Sequence, residues 1–198
     1  MPATRAAGPP PPNVNELWLL VGRRGGESII AALIAVYLAA FLDWKKVLAP
    51  GECGVGMLIC PDRRQGRVVM GYIAAFFDNI PLLNSVVERR TQEAIYLKNG
   101  VIIEIHTASF RTIRGYTVLF AVCDEIAFWR SEESANPDKE ILSALRPAMA
   151  TVPTPLLVCL STPYSRRGAL WEARRRYYGQ PGHEPDAAHP SDKARLPT

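Results

Sequence analysis

The sequence has few of the residues that hold metals, cross membranes or build disulfide frameworks. Its four cysteines form no Cys-x-x-Cys pair, and two of its three histidines lie close to the C-terminus. Three cysteines fall within apolar runs typical of strands, which favours buried thiols over disulfides or zinc. The longest apolar run, residues 29–42, is too short to span a bilayer, and the N-terminus has no apolar stretch resembling a signal peptide. We therefore expect a cytoplasmic protein with no membrane partner.

The overall composition is that of a folded protein with a mildly basic surface. Of 198 residues, 48% are hydrophobic and 21% are charged, which excludes a wholly disordered chain. Lys and Arg together number 23 against 19 Asp and Glu, for a net charge of +4. This charge permits a polyanionic partner without requiring one.

The two ends differ from the middle of the chain. Residues 1–15 and 179–198 are rich in proline and poor in large apolar side chains, so neither buries enough apolar area to offset the entropy of ordering. We expect both to be disordered. Residues 16–178 show no internal repeat, and the length favours one structured domain there.

Apolar runs typical of strands alternate with helical patterns through this domain. An Asn99-Gly100 turn between two apolar runs predicts a hairpin. The run at 29–42 is apolar nearly all round and predicts a buried helix, while Asn136 and Pro137 are typical of a helix start. The predicted strands are 17–21, 55–60, 95–97, 101–105, 117–123 and 156–160, and the predicted helices are 28–42, 63–77, one from 137, and 167–178. The pattern indicates an α/β three-layer sandwich with a largely parallel central sheet and an added hairpin.

A glycine-rich segment between the first predicted strand and the long helix is a candidate phosphate loop. Such a turn exposes backbone N–H groups and a helix N-terminus, which together favour anions. Measured against the phosphate-loop pattern G-x-x-x-x-G-K-[ST], Gly26 and Ser28 match, whereas Val21 stands in place of the first glycine and Glu27 in place of the lysine. The segment comprises Gly22, Arg23, Arg24, Gly25, Gly26, Glu27 and Ser28. An ordinary strand-to-helix turn is the alternative.

Two adjacent acids, Asp124 and Glu125, end the apolar strand at 117–123. In a phosphate site the first carboxylate holds Mg²⁺ and the second polarises the attacking water. The alternative is a polar start to a loop. Because ligands bind at the carboxyl ends of parallel strands, we expect these acids to lie within reach of the glycine-rich segment, on adjacent strands.

Two further segments carry candidate phosphate-contacting side chains. Ser161 and Thr162, at the end of the last predicted strand, are placed to sense a γ-phosphate, or alternatively to cap a loop before Pro163. Arg111 and Arg114, on a loop before the acidic strand, are candidates for contacting a phosphate in trans or DNA. Solvated surface arginines are the alternative there.

In order and spacing, these segments resemble the N-terminal packaging ATPase domain of the large subunit of tailed-phage terminases. The resemblance covers about residues 17–178. It is carried by the segment from Gly22 to Ser28, by Arg114-Gly115-Tyr116, by the acidic strand end running to Trp129, and by Ser161-Thr162-Pro163. It implies a P-loop NTPase fold of the additional-strand, catalytic-glutamate class that hydrolyses ATP with Mg²⁺ and drives double-stranded DNA into a capsid.

The resemblance also implies residue roles and partners. Asp124 corresponds to the acid that holds Mg²⁺ with Ser28, Glu125 to the catalytic glutamate, and Arg23 to an arginine that divergent loops of this family use. Ser161 and Thr162 correspond to the motif that couples hydrolysis to movement. The implied partners are double-stranded DNA, a small terminase subunit, a portal protein and further copies in a ring. The implied setting is the cytoplasm of a bacterial host, with the chain encoded by a phage or prophage.

The sequence departs from the family in three respects. The nuclease domain that normally follows is missing, so we expect no DNA cutting, and the segment before the phosphate loop is short. Glu27 replaces attraction by repulsion at a phosphate-contacting position, where one close charge pair is worth about 4 kcal/mol at an effective dielectric of ~20. A truncated, catalytically impaired terminase remnant with weak nucleotide binding is therefore the alternative, unless Arg23 or Arg24 supplies the missing charge. A helicase-type translocase is less favoured, because no second motor domain follows.

Overall fold

A central sheet with helices on both faces organises the chain in the computed structural model, which describes residues 14–22, 25–109, 113, 115–131 and 134–177. The strands are β1 (Glu16–Leu20), β2 (Gly54–Cys60), β3 (Val87–Arg90), β4 (Ala94–Leu97), β5 (Val101–Thr107), β6 (Thr117–Asp124) and β7 (Leu156–Ser161). The helices are α1 (Glu27–Phe41), α2 (Arg63–Asn79), α3 (Pro81–Val86), α4 (Pro137–Met149) and α5 (Ala169–Tyr177), with short 3₁₀ turns at Trp44–Lys46 and Ile126–Phe128. Residues 1–13 and 178–198, and so nearly all of both predicted disordered ends, lie outside the described residues.

The strand order is β1-β7-β6-β2-β5-β4-β3. The first five strands in this order are parallel, and β4 and β3 run antiparallel at the far end. The prediction of a largely parallel sheet with an added hairpin is confirmed. The expectation that β1 and β6 are adjacent is wrong, because β7 pairs with both and lies between them.

Two apolar cores hold the three layers together. One face of the sheet packs against α1 and α2, and the other packs against α4 and α5. Every residue of β2 is buried, and β6 is buried from Val118 onward, as continuous apolar runs in a parallel sheet predict. Gly56 on β2 provides space for the ring of Phe120 on β6, since a Cβ at residue 56 would lie 2.1 Å from the ring Cζ.

Helix α1 is less buried than its sequence predicts. Its alanine-rich inner face is fully buried, but the side chains of its outer face are between 43% and 56% exposed. These outer side chains are Ile29, Ile30, Leu33, Tyr37 and Phe41. The helix belongs to an outer layer with the sheet on one side, so its apolar composition does not bury it all round. Within the described residues, no helix combines the length and hydrophobicity that crossing a membrane requires.

Two short elements were missed, whereas the predicted start of α4 at Asn136 and Pro137 is confirmed. Helix α3 and strand β3 were not predicted, because Pro81–Val86 is too short for a helical period and Val87–Arg90 contains three charged residues. The side chain of Asn136 makes no capping hydrogen bond at the start of α4. Instead, Ser134 Oγ accepts from the Asn136 backbone N–H at 3.0 Å and contacts Glu140 Oε1 at 2.6 Å.

The close contact between β2 and β6 gives a stability prediction. Gly56→Ala should destabilise the fold by about 1–3 kcal/mol, because the added methyl group overlaps the buried ring of Phe120. Gly71→Ala is the matched control: it adds the same methyl group on the exposed face of α2 with no atom within 4 Å, and should stabilise by about 0.5–1 kcal/mol. Urea unfolding of both variants measures the difference. Equal midpoints would contradict the packing described here.

Candidate functional site

The carboxyl ends of β1, β7 and β6 lie at one edge of the sheet, since the three strands are parallel. Leu20 is aligned with Ser161, and Leu160 with Asp124. The backbone N–H of Val21 continues the pairing by donating to the Ser161 carbonyl at 3.3 Å. The start of the glycine-rich segment, Ser161 and Asp124 are thus brought together on three neighbouring strands.

The glycine-rich segment forms a tight turn before α1. The N–H of Gly25 donates to the Gly22 carbonyl at 2.9 Å, and a Cβ at residue 25 would lie 2.2 Å from Val21 Cγ1. Gly26 adopts a φ of +82°, a left-handed conformation that favours glycine, and immediately precedes the helix. Among the described residues no side chain caps the N-terminus of α1, so this end retains the donor groups and dipole that attract anions.

Asp124 is the buried acid of the site, with 1% of its surface exposed. Its Oδ2 accepts a hydrogen bond of 3.1 Å from Gln65 Nε2, whereas its Oδ1 is buried and has no hydrogen-bond partner among the described residues. Burial is the main cause that raises the pKa of Asp124 to about 6; the charges of Glu125 and Glu27 contribute to this rise, and the hydrogen bond from Gln65 opposes it. The site therefore holds several carboxylates whose charges disfavour one another.

The donor atoms at this edge suit a hard divalent cation. Asp124 offers the free Oδ1, and Ser28 offers a half-buried hydroxyl in the first turn of α1. Within the described part of the chain, no three His, Cys, Asp or Glu side chains form a metal cluster. Mg²⁺ is typically held by one or two carboxylates together with water and phosphate oxygens, so the residues present fit Mg²⁺ carried with a phosphate ligand.

Glu125 occupies a strained position next to the buried acid. It has a φ of 50° and a ψ of 42°, a left-handed conformation that is uncommon for a residue with a side chain. Ser161 Oγ donates to Glu125 Oε2 at 2.9 Å. The backbone N–H and the hydroxyl of Thr162 lie 3.4 Å and 3.5 Å from the same oxygen. The end of β7 therefore holds the carboxylate of Glu125.

Nine of the candidate residues from the sequence lie along this edge. They are Gly22, Gly25, Gly26, Glu27, Ser28, Asp124, Glu125, Ser161 and Thr162. The four arginines predicted to contact phosphate or DNA, Arg23, Arg24, Arg111 and Arg114, lie outside the described residues.

Sequence reasoning missed Gln65, the partner of Asp124. Gln65 lies in the first turn of α2, where its backbone N–H donates to the side chain of Asp62, the N-cap, at 2.8 Å. Strand β2 ends just before this turn and pairs with β6. A polar residue in the first helical turn after a buried strand was the available signal. Only the order of the strands shows that it faces Asp124.

The burial of Asp124 predicts a pH-dependent stability change. Its pKa lies above the ordinary value of 3.8, so the folded state holds a proton that the unfolded state has lost, and stability falls as the pH rises from about 4 to 6. Asp124→Asn removes the ionisable group and with it this loss of stability at higher pH. Without Mg²⁺ and nucleotide, we expect the variant to be more stable than the parent by up to about 3 kcal/mol at pH 8, with the difference shrinking toward pH 4.

Chemical denaturation at pH 4, 6 and 8 measures this effect. Asp43→Asn, at an exposed carboxylate paired with Lys46, is the control and should keep the pH dependence of the parent. A variant Asp124→Asn that is no more stable than the parent at pH 8 would show that the buried charge costs nothing.

Comparison with known proteins gives structural matches and no sequence matches. No protein-family model and no curated protein sequence matches the chain. The ATPase domain of the large terminase of Thermus phage P74-26 superposes with a TM-score of 0.62 at 17% identity, over 88% of this chain and 72% of that one. The large terminase of bacteriophage HK97 gives a TM-score of 0.55 at 18% identity, over 76% of this chain.

A large terminase from a thermophilic bacteriophage gives a TM-score of 0.54 at 10% identity, over 83% of this chain. The chain spans only 30% of the HK97 protein and 38% of this third one. At these identities the likeness concerns the fold. The chain thus shares the α/β fold of phage large terminase ATPase domains, as the resemblance predicted.

Proposed function

We propose that this chain is the ATPase motor domain of a phage terminase large subunit, which couples ATP hydrolysis to packaging of double-stranded DNA into a capsid. The observation that carries the proposal is the contact of Glu125 with Ser161 and Thr162, beside Asp124 and the glycine-rich loop. This arrangement supplies a base, a metal-holding acid and a phosphate cradle at one sheet edge. The similarity of the fold to packaging ATPase domains supports the proposal.

The loop and the helix dipole would hold the triphosphate. The N-terminus of α1 at Gly26, Glu27 and Ser28 carries a partial positive charge that would attract the phosphates. Ser28 and Asp124 would hold Mg²⁺, which when bound supplies positive charge to the phosphate oxygens. Gln65 donates to Oδ2 of Asp124, so Oδ1 is the oxygen that would hold the cation.

Glu125 would orient the attacking water and accept its proton. In the structure its carboxylate is bound to Ser161, and the backbone N–H of Thr162 lies close by. A carboxylate held in this way has fewer lone pairs free for water. We infer that the end of β7 sets how available Glu125 is, and that hydrolysis and displacement of this strand end are thereby coupled.

The remaining assignments rest on the resemblance to terminases. Arg23 would assist catalysis from the loop, with Arg24 beside it. Arg111 and Arg114 would contact the phosphates of a neighbouring subunit or the DNA. A small terminase subunit, a portal protein and ring-forming copies of the chain complete the proposed assembly, in the cytoplasm of a bacterial host.

Glu27 favours one specific alternative, a catalytically impaired remnant that keeps the fold. Its Oε2 is buried without a hydrogen-bond partner among the described residues. Its charge also opposes ionisation of Asp124 by raising the pKa of that carboxyl group. A carboxylate in this place repels a triphosphate and, when ionised, donates no hydrogen bond.

Substitutions of Glu27 and Glu125 test whether the chain is an active motor or an impaired remnant. We expect Glu27→Lys to strengthen Mg·ATP binding and raise the ATPase rate, because attraction to the phosphates replaces repulsion. Adding Glu125→Gln in that background should abolish turnover, lowering the rate by at least about 10²-fold, and leave binding largely intact. Calorimetric titration with Mg·ATP and phosphate release measure the two quantities. Glu88→Gln, at an exposed position on β3, is the control.

The ATP turnover of the parent chain, compared with that of Glu27→Lys, distinguishes the motor from the remnant. Turnover by the parent that Glu27→Lys does not increase supports an active motor in which Arg23 or Arg24 supplies the loop charge, and the remnant alternative then fails. Turnover only after Glu27→Lys supports the remnant. Absence of both binding and turnover in Glu27→Lys would refute the nucleotide site.

A further inference from the structure

Two carboxylates at the candidate site each contain a buried oxygen without a partner. Glu27 Oε2 and Asp124 Oδ1 are both inaccessible to solvent, and neither has a hydrogen-bond partner among the described residues. The two side chains come from different elements, the first turn of α1 and the end of β6. Both elements lie at the sheet edge where Leu160 is aligned with Asp124 and the Val21 N–H donates to the Ser161 carbonyl.

At this edge of the sheet, two carboxylate oxygens without a hydrogen-bond partner among the described residues favour a positive group beside them. An unpartnered buried polar atom costs about 1–3 kcal/mol, and a buried charge costs more. Gln65 satisfies Oδ2 of Asp124, and no ion pair in the described part of the chain includes Glu27 or Asp124. Unpartnered carboxylate oxygens of this kind are potential ligands for a cation.

We propose that Glu27 is a direct ligand of a divalent cation, together with Asp124 and Ser28, and that this cation binds before any nucleotide. The three donors are two carboxylates and a hydroxyl, which are the hard oxygen ligands preferred by Mg²⁺, Mn²⁺ and Ca²⁺. The cation site shares Asp124 and Ser28 with the proposed function, on which it therefore rests, but it can be tested without nucleotide.

With this cation site, Glu27 in the position of the phosphate-loop lysine has a different effect on the charge of the loop. A lysine brings one positive charge to the loop, whereas Glu27 adds one negative charge and recruits a cation carrying two positive charges. The bound cation would offset the repulsion between Glu27 and a triphosphate and would offer it open coordination positions. The metal would then belong to the resting protein rather than arrive only with the nucleotide.

Metal binding without nucleotide tests the proposal. We expect 10 mM MgCl₂, MnCl₂ or CaCl₂, at constant ionic strength and pH 7.5, to raise the melting temperature of the parent chain by about 3 °C. A few-carboxylate oxygen site corresponds to a dissociation constant of roughly 10⁻⁴–10⁻³ M. Titration of free Mn²⁺ by electron paramagnetic resonance should show one ion per chain.

Charge-matched variants identify the ligand. Glu27→Gln keeps the shape of the side chain and should weaken Mn²⁺ binding at least about tenfold, and Glu27→Lys should abolish it. Glu88→Gln removes an equal charge at an exposed position on β3 and should bind Mn²⁺ like the parent chain. The Mn²⁺ signal reports binding directly, so it remains informative even if a variant changes stability.

Either of two results would overturn the proposal. One is a parent chain that binds no metal without nucleotide, as expected if a loop arginine neutralises Glu27. The other is Mn²⁺ binding by Glu27→Gln as tight as that of the parent. Metal binding without ATP turnover would refute only the proposed motor function, whereas turnover without nucleotide-free metal binding would refute only the cation site.

Discussion

The pairing of β7 between β1 and β6 is the constraint on which the site depends. Ser161, at the end of β7, accepts a backbone hydrogen bond from Val21 and donates its hydroxyl to Glu125. One residue therefore links the start of the glycine-rich segment to the proposed catalytic carboxylate. Were β1 and β6 neighbours, no strand end would lie between these two groups. Any displacement of Ser161 acts on both sides of the site at once.

The site concentrates unfavourable interactions that the rest of the fold sustains. Asp124 is almost fully buried with a raised pKa, Glu125 has a left-handed backbone, and Glu27 adds a third carboxylate. Each feature destabilises the folded chain, whereas β2 and β6 around them are continuous apolar strands. Perturbed acids and backbone strain in one place are typical of functional sites, where stability is sacrificed for ligand binding or catalysis.

Most of the fold was predictable because its strands and helices have regular patterns. The continuous apolar run of β6 and the Asn99-Gly100 turn identified their elements within one or two residues. The failures have local causes. Val87–Arg90 is charged and forms a strand only because it pairs with β4 at the sheet edge. Helix α1 is apolar all round, yet its place in an outer layer leaves one face exposed.

The sequence by itself determined which residues stand at the strand ends of the candidate site: glycines after β1, two acids at the end of β6 and two hydroxyls at the end of β7. Within each of these three segments the residues are neighbours in the sequence, so a local pattern reveals them. The tertiary structure alone decided that β7 separates β1 from β6, that Gln65 binds Asp124, and that Glu27 and Asp124 each present an unpartnered oxygen. These contacts join residues far apart in the chain. Strand order and burial create them, and neither is encoded in the spacing of any single motif.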